Sequence, residues 1–189
     1  MLGNSWHKKE KPLLGLTGLW GGAAGALVGG PSGPTDFSAS GGFYSDYGDG
    51  AGGNWRSHIF TADGTFSCAN IGGTGTHIYY LILGGGGAGG YGKGAGGGAG
   101  CVKQGSIAYT SLTKGDWDIT IGNGASGGSL AWANSTDHNA APGTPSSVTF
   151  PNGIITAPGG GTGAGSNNDG SAGGSGGGGS WPTKSGGTG

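Results

Sequence analysis

The chain has 189 residues, of which 54 are glycine, and only 9% are charged; glycine is thus about four times its usual share and charge far below the usual quarter. A net charge of −1 gives no whole-chain field that would gather nucleic acid or an anionic membrane surface. Apolar residues make up 32%, enough for one modest core where they are concentrated in a few strands.

Residues 1–53 read as an N-terminal anchoring arm. Lys8, Lys9 and Lys11 precede an uncharged stretch, 12–32. Its glycines keep the hydrophobicity too low for a membrane span or a signal-peptide core, so no membrane insertion is expected. The arm still carries large apolar groups with no periodicity. Leu13, Leu14, Leu16, Leu19 and Trp20 are its candidate anchoring residues. Such side chains on a glycine scaffold can be buried only against a partner or a neighbouring subunit; a disordered leader is the plain alternative.

From Trp55 the pattern changes to short β-type runs punctuated by turn residues, which predicts an all-β domain over 54–165. Runs 58–61 and 65–68 flank the turn Ala62-Asp63-Gly64. Run 78–83 (IYYLIL) is the strongest strand, and its unbroken apolar character predicts burial on both faces. Run 107–110 follows. In 117–121, Trp117, Ile119 and Ile121 alternate with Asp118 and Thr120, predicting one buried and one wet face. Runs 129–133, 147–150 and 154–157 complete the set, the last two joined by Pro151-Asn152-Gly153.

Between the strands lie glycine runs, with 12 glycines in 84–100 and 15 in 159–189. A slack insert of that length between two strands of one domain is unusual. Glycine offers an ordered alternative: extended threefold helices of polyglycine-II type, packed side by side and bonded laterally through their backbones. Ordering a residue costs about 1–2 kcal/mol, and a net hydrogen bond returns only about 0.5–1.5 kcal/mol. A lone helix of this kind melts, so a bundle or a supporting sheet is required. Residues 166–189 read as a glycine-rich extension that could continue a longer fibre.

The order HIFTADGTFS, IYYLILGGGGAGGYGKGAGGGAG, LTKGDWDITIGNGASGG and GTPSSVTFPNGIITAPGGGTGAG resembles the glycine-rich domain of bacteriophage tail-fibre and virion-appendage proteins. The leader KKEKPLLGLTGLWGG looks like the opening of structural proteins of marine cyanobacterial phages. The same block order is similar to the glycine-rich ectodomain of anaplastic-lymphoma-type receptor kinases, although this chain lacks that family's many cysteines. These resemblances imply a jelly-roll-like β-sandwich hosting polyglycine helices. They also imply a non-enzymatic virion protein exposed on the particle, in contact with other tail or capsid proteins and with its own copies, a homotrimer being the first expectation. A host-surface glycan or protein would be its target.

Candidate chemistry is sparse. Gly87 to Lys93 imitates the start of a phosphate-binding loop, yet Gly94 stands where a serine or threonine must hold Mg²⁺, and no helix follows. Tyr91 and Lys93 fit better as surface-recognition residues on a loop tip. The four histidines are scattered without a nucleophile partner. Asp46 and Asp49 make half a calcium loop without its remaining ligands. Asn134-Ser135-Thr136 is a formal glycosylation sequon, and Asp137-His138 lies beside it in a polar loop. No cofactor, metal or catalytic group is expected. Cys68 and Cys101 permit one disulfide and fit neither a zinc nor a Cys-x-x-Cys pattern; separate buried thiols are the simpler expectation. A secreted ligand-binding or matrix protein is the alternative, and it would oxidise that pair. An ice-binding protein would need unbroken Gly-x-x triplets, which Tyr91, Lys93 and Cys101 interrupt.

Overall fold

Alternation of apolar and polar residues over short, β-branched runs produces antiparallel strands here, and the glycine runs join them at one end. The computed structural model describes residues 37–48, 54–71, 77–92, 94–127 and 140–189. Among the described residues the strands are β1 (Ser38–Ser40), β2 (Phe43–Gly48), β3 (Asn54–Ile59), β4 (Gly64–Asn70), β5 (His77–Leu83), β6 (Val102–Ala108), β7 (Gly115–Thr120), β8 (Ser146–Phe150) and β9 (Gly153–Ala157), with a 3-10 turn at Tyr109–Ser111. They form a five-stranded sheet in the order β1-β4-β7-β8-β9 and two two-stranded ribbons, β2-β3 and β5-β6. Every pairing is antiparallel. The protein is all-β, as its composition and turn spacing predict. β1 and β2 lie within 1–53, so the last part of the stretch read as an arm contributes strands to the sheets.

The core lies on one face of the five-stranded sheet. Phe66 faces Trp117, Ile119 faces Val148, and Val148 faces Ile155. Residues directly opposite on neighbouring strands share a face, so these side chains form one apolar layer around Phe66, Cys68, Leu112 and Trp117. The other face carries Thr65, Ser67, Asp116, Asp118, Thr120 and Thr149. Asp118 and Thr120 are exposed while Trp117 is buried and Ile119 half-buried, the alternation expected for this strand. Ser67 donates a hydrogen bond to Asp116 Oδ1 at 2.5 Å on this wet face.

The β5-β6 ribbon covers the core, with Ile78 and Ile107 packed against the buried cluster. Burial of IYYLIL on both faces, expected from its unbroken apolar run, does not occur. Exposure alternates along β5, and Tyr79, Leu81 and Leu83 point outward. A two-stranded ribbon with the core beneath it has no second sheet layer on its other side among the described residues. The β2-β3 ribbon is tied in by a chain of aromatic contacts, His58 to Phe66 (5.0 Å, edge-on), Phe66 to Trp117 (5.1 Å) and Trp117 to Phe150 (5.9 Å). His58 Nδ1 also meets the Gly41 carbonyl at 2.7 Å. Trp117 Nε1 is the buried side-chain polar atom that finds no hydrogen-bond partner among the described residues.

Candidate recognition tip on a polyglycine bundle

The glycine runs are ordered, and their hydrogen bonds reveal their geometry. Gly84, Gly87 and Gly90 donate to the carbonyls of Cys101, Gly98 and Ala95 at 2.9, 2.8 and 3.0 Å. Ala95, Gly98 and Cys101 donate in turn to Ala164, Gly161 and Pro158 at 2.9, 2.8 and 2.8 Å. Gly160 and Gly163 donate to Gly85 and Ala88, both at 2.8 Å. A β-ladder repeats every second residue; here the bonding direction repeats every third. Successive peptide groups therefore point about 120° apart around the strand axis, which is the threefold extended helix expected for polyglycine II. Each segment bonds to several neighbours at once, which a β-strand cannot do.

The bundle contains segments 84–90, 94–101, 122–127, 140–145, 158–165, 170–174, 175–180 and 184–189. Segment 158–165 is its axis. It exchanges bonds with 84–90, 94–101, 140–145, 170–174 and 175–180, and residues 160–165 are buried without a break. A Cβ on Gly160 would run into the Gly98 carbonyl, and one on Gly163 into that of Ala95. Glycine is required there by close backbone approach. Most of the bundle's lateral bonds run from backbone to backbone, with side chains filling local gaps: Thr162 N donates to Ser171 Oγ at 2.7 Å, and Thr162 Oγ1 meets the same oxygen at 2.9 Å.

The bundle also joins the two sheet layers. Segments 84–90 and 94–101 continue β5 and β6, whereas 158–165 continues β9 of the five-stranded sheet, so their mutual bonds link layers that share no β-ladder. Ser146 sits at this junction. Its side chain is buried, its Oγ accepts from Gly122 N at 2.8 Å and donates to the Leu83 carbonyl at 2.6 Å. One hydroxyl thus links β5, β8 and the chain leaving β7. Sequence reasoning passed over this serine, because nothing in SSVTF distinguishes it from a solvent-facing one.

Chain directions determine where the functional side chains gather. Segments 84–90, 122–127, 158–165 and 175–180 run away from the sheets, while 94–101, 140–145, 170–174 and 184–189 return. The described connections at 91–92, 166–169 and 181–183 consequently fall at the far end. The segments themselves are mostly glycine, alanine, serine and threonine, with Pro142, Pro145 and Pro158 among them and with Asn123 and Cys101 close to the sheets. The far end instead offers Tyr91, Asn167, Asn168, Asp169 and Trp181, with Lys184 at the start of the last returning segment.

The loops support one another. Asn168 O accepts from both Ser180 N (3.2 Å) and Ser180 Oγ (3.1 Å), and Asp169 Oδ1 accepts from Ser185 N at 2.8 Å. A Cβ at Gly92 would run into the Ser166 hydroxyl, so the loop of Tyr91 lies close beside its neighbour. Asn167 adopts φ 65°, a left-handed turn that asparagine tolerates. Trp181 is 69% exposed. An exposed indole among amides, a carboxylate and an ammonium can stack on an apolar ring face while its neighbours hydrogen-bond, which is binding chemistry.

Of the residues singled out from sequence, Tyr91 lies at this end, half-buried in its turn. Lys93 lies outside the described residues, as do Leu13, Leu14, Leu16, Leu19, Trp20, the run 129–133, Asn134-Ser135-Thr136 and Asp137-His138. Trp181 was missed, although WPTK between two glycine runs is the kind of interruption that marks a loop. Asp46 belongs to an ion pair: Arg56 donates to both its carboxylate oxygens, at 2.6 and 2.8 Å, directly across the β2-β3 ladder. That hydrogen bond holds the Asp46 carboxyl below the usual carboxylate range. The Arg56 guanidinium also lies 4.8 Å from the centre of the Tyr44 ring. Cys68 and Cys101 are free thiols. Burial pushes the Cys68 thiol up, with Lys114 acting weakly in the opposite direction. Among the described residues, no group of three or more His, Cys, Asp or Glu side chains could hold a metal ion.

A β-sheet framework that carries a laterally bonded bundle of glycine helices defines a glycine-rich structural domain. Residues 60–189 match the glycine-rich domain family, and the chain belongs to that family. No curated protein and no solved structure matches it.

Proposed function

We propose that this chain is a non-enzymatic structural protein of a bacteriophage virion, a tail fibre or a capsid or tail appendage, which contributes to host attachment. In this reading residues 1–30, with Leu13, Leu14, Leu16, Leu19 and Trp20, anchor the protein on other virion proteins. The loops at the far end of the bundle meet a host-surface glycan or protein, and the protein works as a symmetric homo-oligomer, with three copies as the first expectation.

One observation carries the proposal: the side chains able to recognise a ligand are gathered at the end of a rigid bundle, remote from the sheets. A bundle in which every third peptide bonds sideways transmits force and holds its loops in place, whereas a slack glycine tether would do neither. The order of the strand and glycine blocks, which resembles phage appendage domains, supports the same reading. A secreted matrix or ligand-binding protein would be expected to bridge Cys68 and Cys101, and the free state of both thiols gives that alternative no support.

The test has two arms. Full-length chain lacking residues 1–30 should fail to join particles that lack the native protein, while Trp181→Ala should join them normally and lose cell binding. Unchanged incorporation after the deletion refutes the anchoring role. Unchanged cell binding after combined substitution of Tyr91, Trp181 and Lys184 by alanine refutes the recognition role.

A further inference from the structure

The outward face of β5-β6 is largely apolar, with His77 at one end, and carries no formal charge from lysine, arginine, aspartate or glutamate. In the observed register Leu83 lies opposite Val102, Leu81 opposite Gln104 and Tyr79 opposite Ser106, so these six side chains share one face. Tyr79, Leu81, Leu83 and Val102 are 65, 62, 58 and 58% exposed. Trp55 of β3, 42% exposed, extends the patch, its ring centroid 5.8 Å from that of Tyr79. Together they present on the order of 500 Å² of apolar surface, at the upper end of what single-copy soluble proteins display.

We propose that this face packs against the same face of another copy of the chain. Two features favour a second copy over an unrelated partner. A standard interface covers about 800 Å² per partner, roughly two thirds of it apolar in homodimers, which is close to the area available here. A face without such charges can also meet its own image with no charge to desolvate or to pair. Here Lys103, the one lysine, arginine, aspartate or glutamate of these two strands, pairs with Ile82 and so belongs to the opposite side of the ribbon. Face-to-face stacking at the usual sheet spacing of about 10 Å would bury the rows of Tyr79, Leu81 and Leu83 from each copy. Two copies, or three about a common axis, both place this face at the centre. The inference supplies a surface for the self-association proposed above and is independent of the host-attachment reading.

Light scattering of the full chain after size-exclusion chromatography should give two or three times the 17.9 kDa chain mass. The double variant Leu81→Glu, Leu83→Glu should fall to a single chain with unchanged far-UV circular dichroism. Should that variant misfold, Leu81→Cys gives an independent readout, since it should form a disulfide-linked pair under mild oxidation that the wild type does not. A wild-type monomer at tens of micromolar overturns the proposal and leaves the attachment reading intact. Retention of the oligomer by a folded double variant overturns it too. So does a chain that oligomerises only after residues 1–36 are removed, because the face would then be covered by that segment of its own chain.

Discussion

Replacing Gly160 by alanine tests whether the bundle is a close-packed solid. Gly160 lies on the buried axial segment, donating to Gly85 at 2.8 Å and accepting from Gly143 at 3.0 Å, and its Cβ would overlap the Gly98 carbonyl. The obstacle is backbone on a neighbouring segment, so a helix must move as a whole to relieve it. Separating the helices by about 1 Å forfeits both bonds at roughly 0.5–1.5 kcal/mol each, and a buried peptide group left unpaired adds about 1–3 kcal/mol. The expected loss is about 2–6 kcal/mol, a large fraction of the 5–15 kcal/mol typical of a whole domain. Gly96 is the internal control, since a Cβ there would meet nothing within 4 Å. Gly96→Ala should be neutral or should stabilise by about 0.4–1 kcal/mol, by restricting the unfolded chain. Urea denaturation followed by tryptophan fluorescence measures both. Equal midpoints for the two variants would refute the bundle geometry, because a mobile glycine tether cannot distinguish the two positions.

Ser146→Ala removes the partner of both Gly122 N and the Leu83 carbonyl, so a loss of about 2–4 kcal/mol is expected in thermal or urea unfolding; a change below about 0.5 kcal/mol would show that water replaces the hydroxyl. Cys101, half-buried, should be alkylated by iodoacetamide well before Cys68, which is 3% exposed and holds its proton to higher pH than an ordinary thiol; intact-mass spectrometry at pH 8 with peptide mapping reads the order. Because burial raises the Cys68 pKa, its contribution to stability is complete below the ordinary thiol value and is lost as pH rises through the higher folded value. The Asp46 carboxyl is shifted the other way by its hydrogen bonds from Arg56. That pair stabilises the β2-β3 ribbon above the ordinary carboxylate value and releases it as pH falls through the lowered one. Arg56→Gln should return the Asp46 titration, followed by carboxyl-carbon NMR, to the ordinary range with little change in Tm, since exposed pairs are screened by solvent.

Much of the architecture is local in origin and can be read without coordinates. Period-two alternation at Trp117, Asp118, Ile119 and Thr120 determined which side of that strand would be buried, since successive side chains of a strand leave on opposite faces. Pro151-Asn152-Gly153 announced the β8-β9 hairpin in the same way. The glycine density of 84–100 and 159–189, set against the entropy of ordering, was enough to imply bundled threefold helices. β1 and β2 escaped notice because SAS and FYSDYG carry no alternation of their own and become strands by pairing with β4 and β3. IYYLIL misled for a related reason: an apolar run states that burial is favourable, while the number of layers available to provide it is a property of the whole fold.

The partners of each glycine helix were decided only by tertiary structure. Nearly identical glycine segments carry no side chains to specify which neighbour, direction or register is correct. That information comes from where β5, β6, β7, β8 and β9 begin and end, all at one end of the sheets. Alternating outgoing and returning segments then send the described connections at 91–92, 166–169 and 181–183 to the far end, bringing Tyr91, Asp169 and Trp181 to one region although up to 90 positions separate them in the chain. Composition made the helices possible, and the strand framework chose their arrangement, because lateral backbone hydrogen bonds are strong in number and blind to sequence.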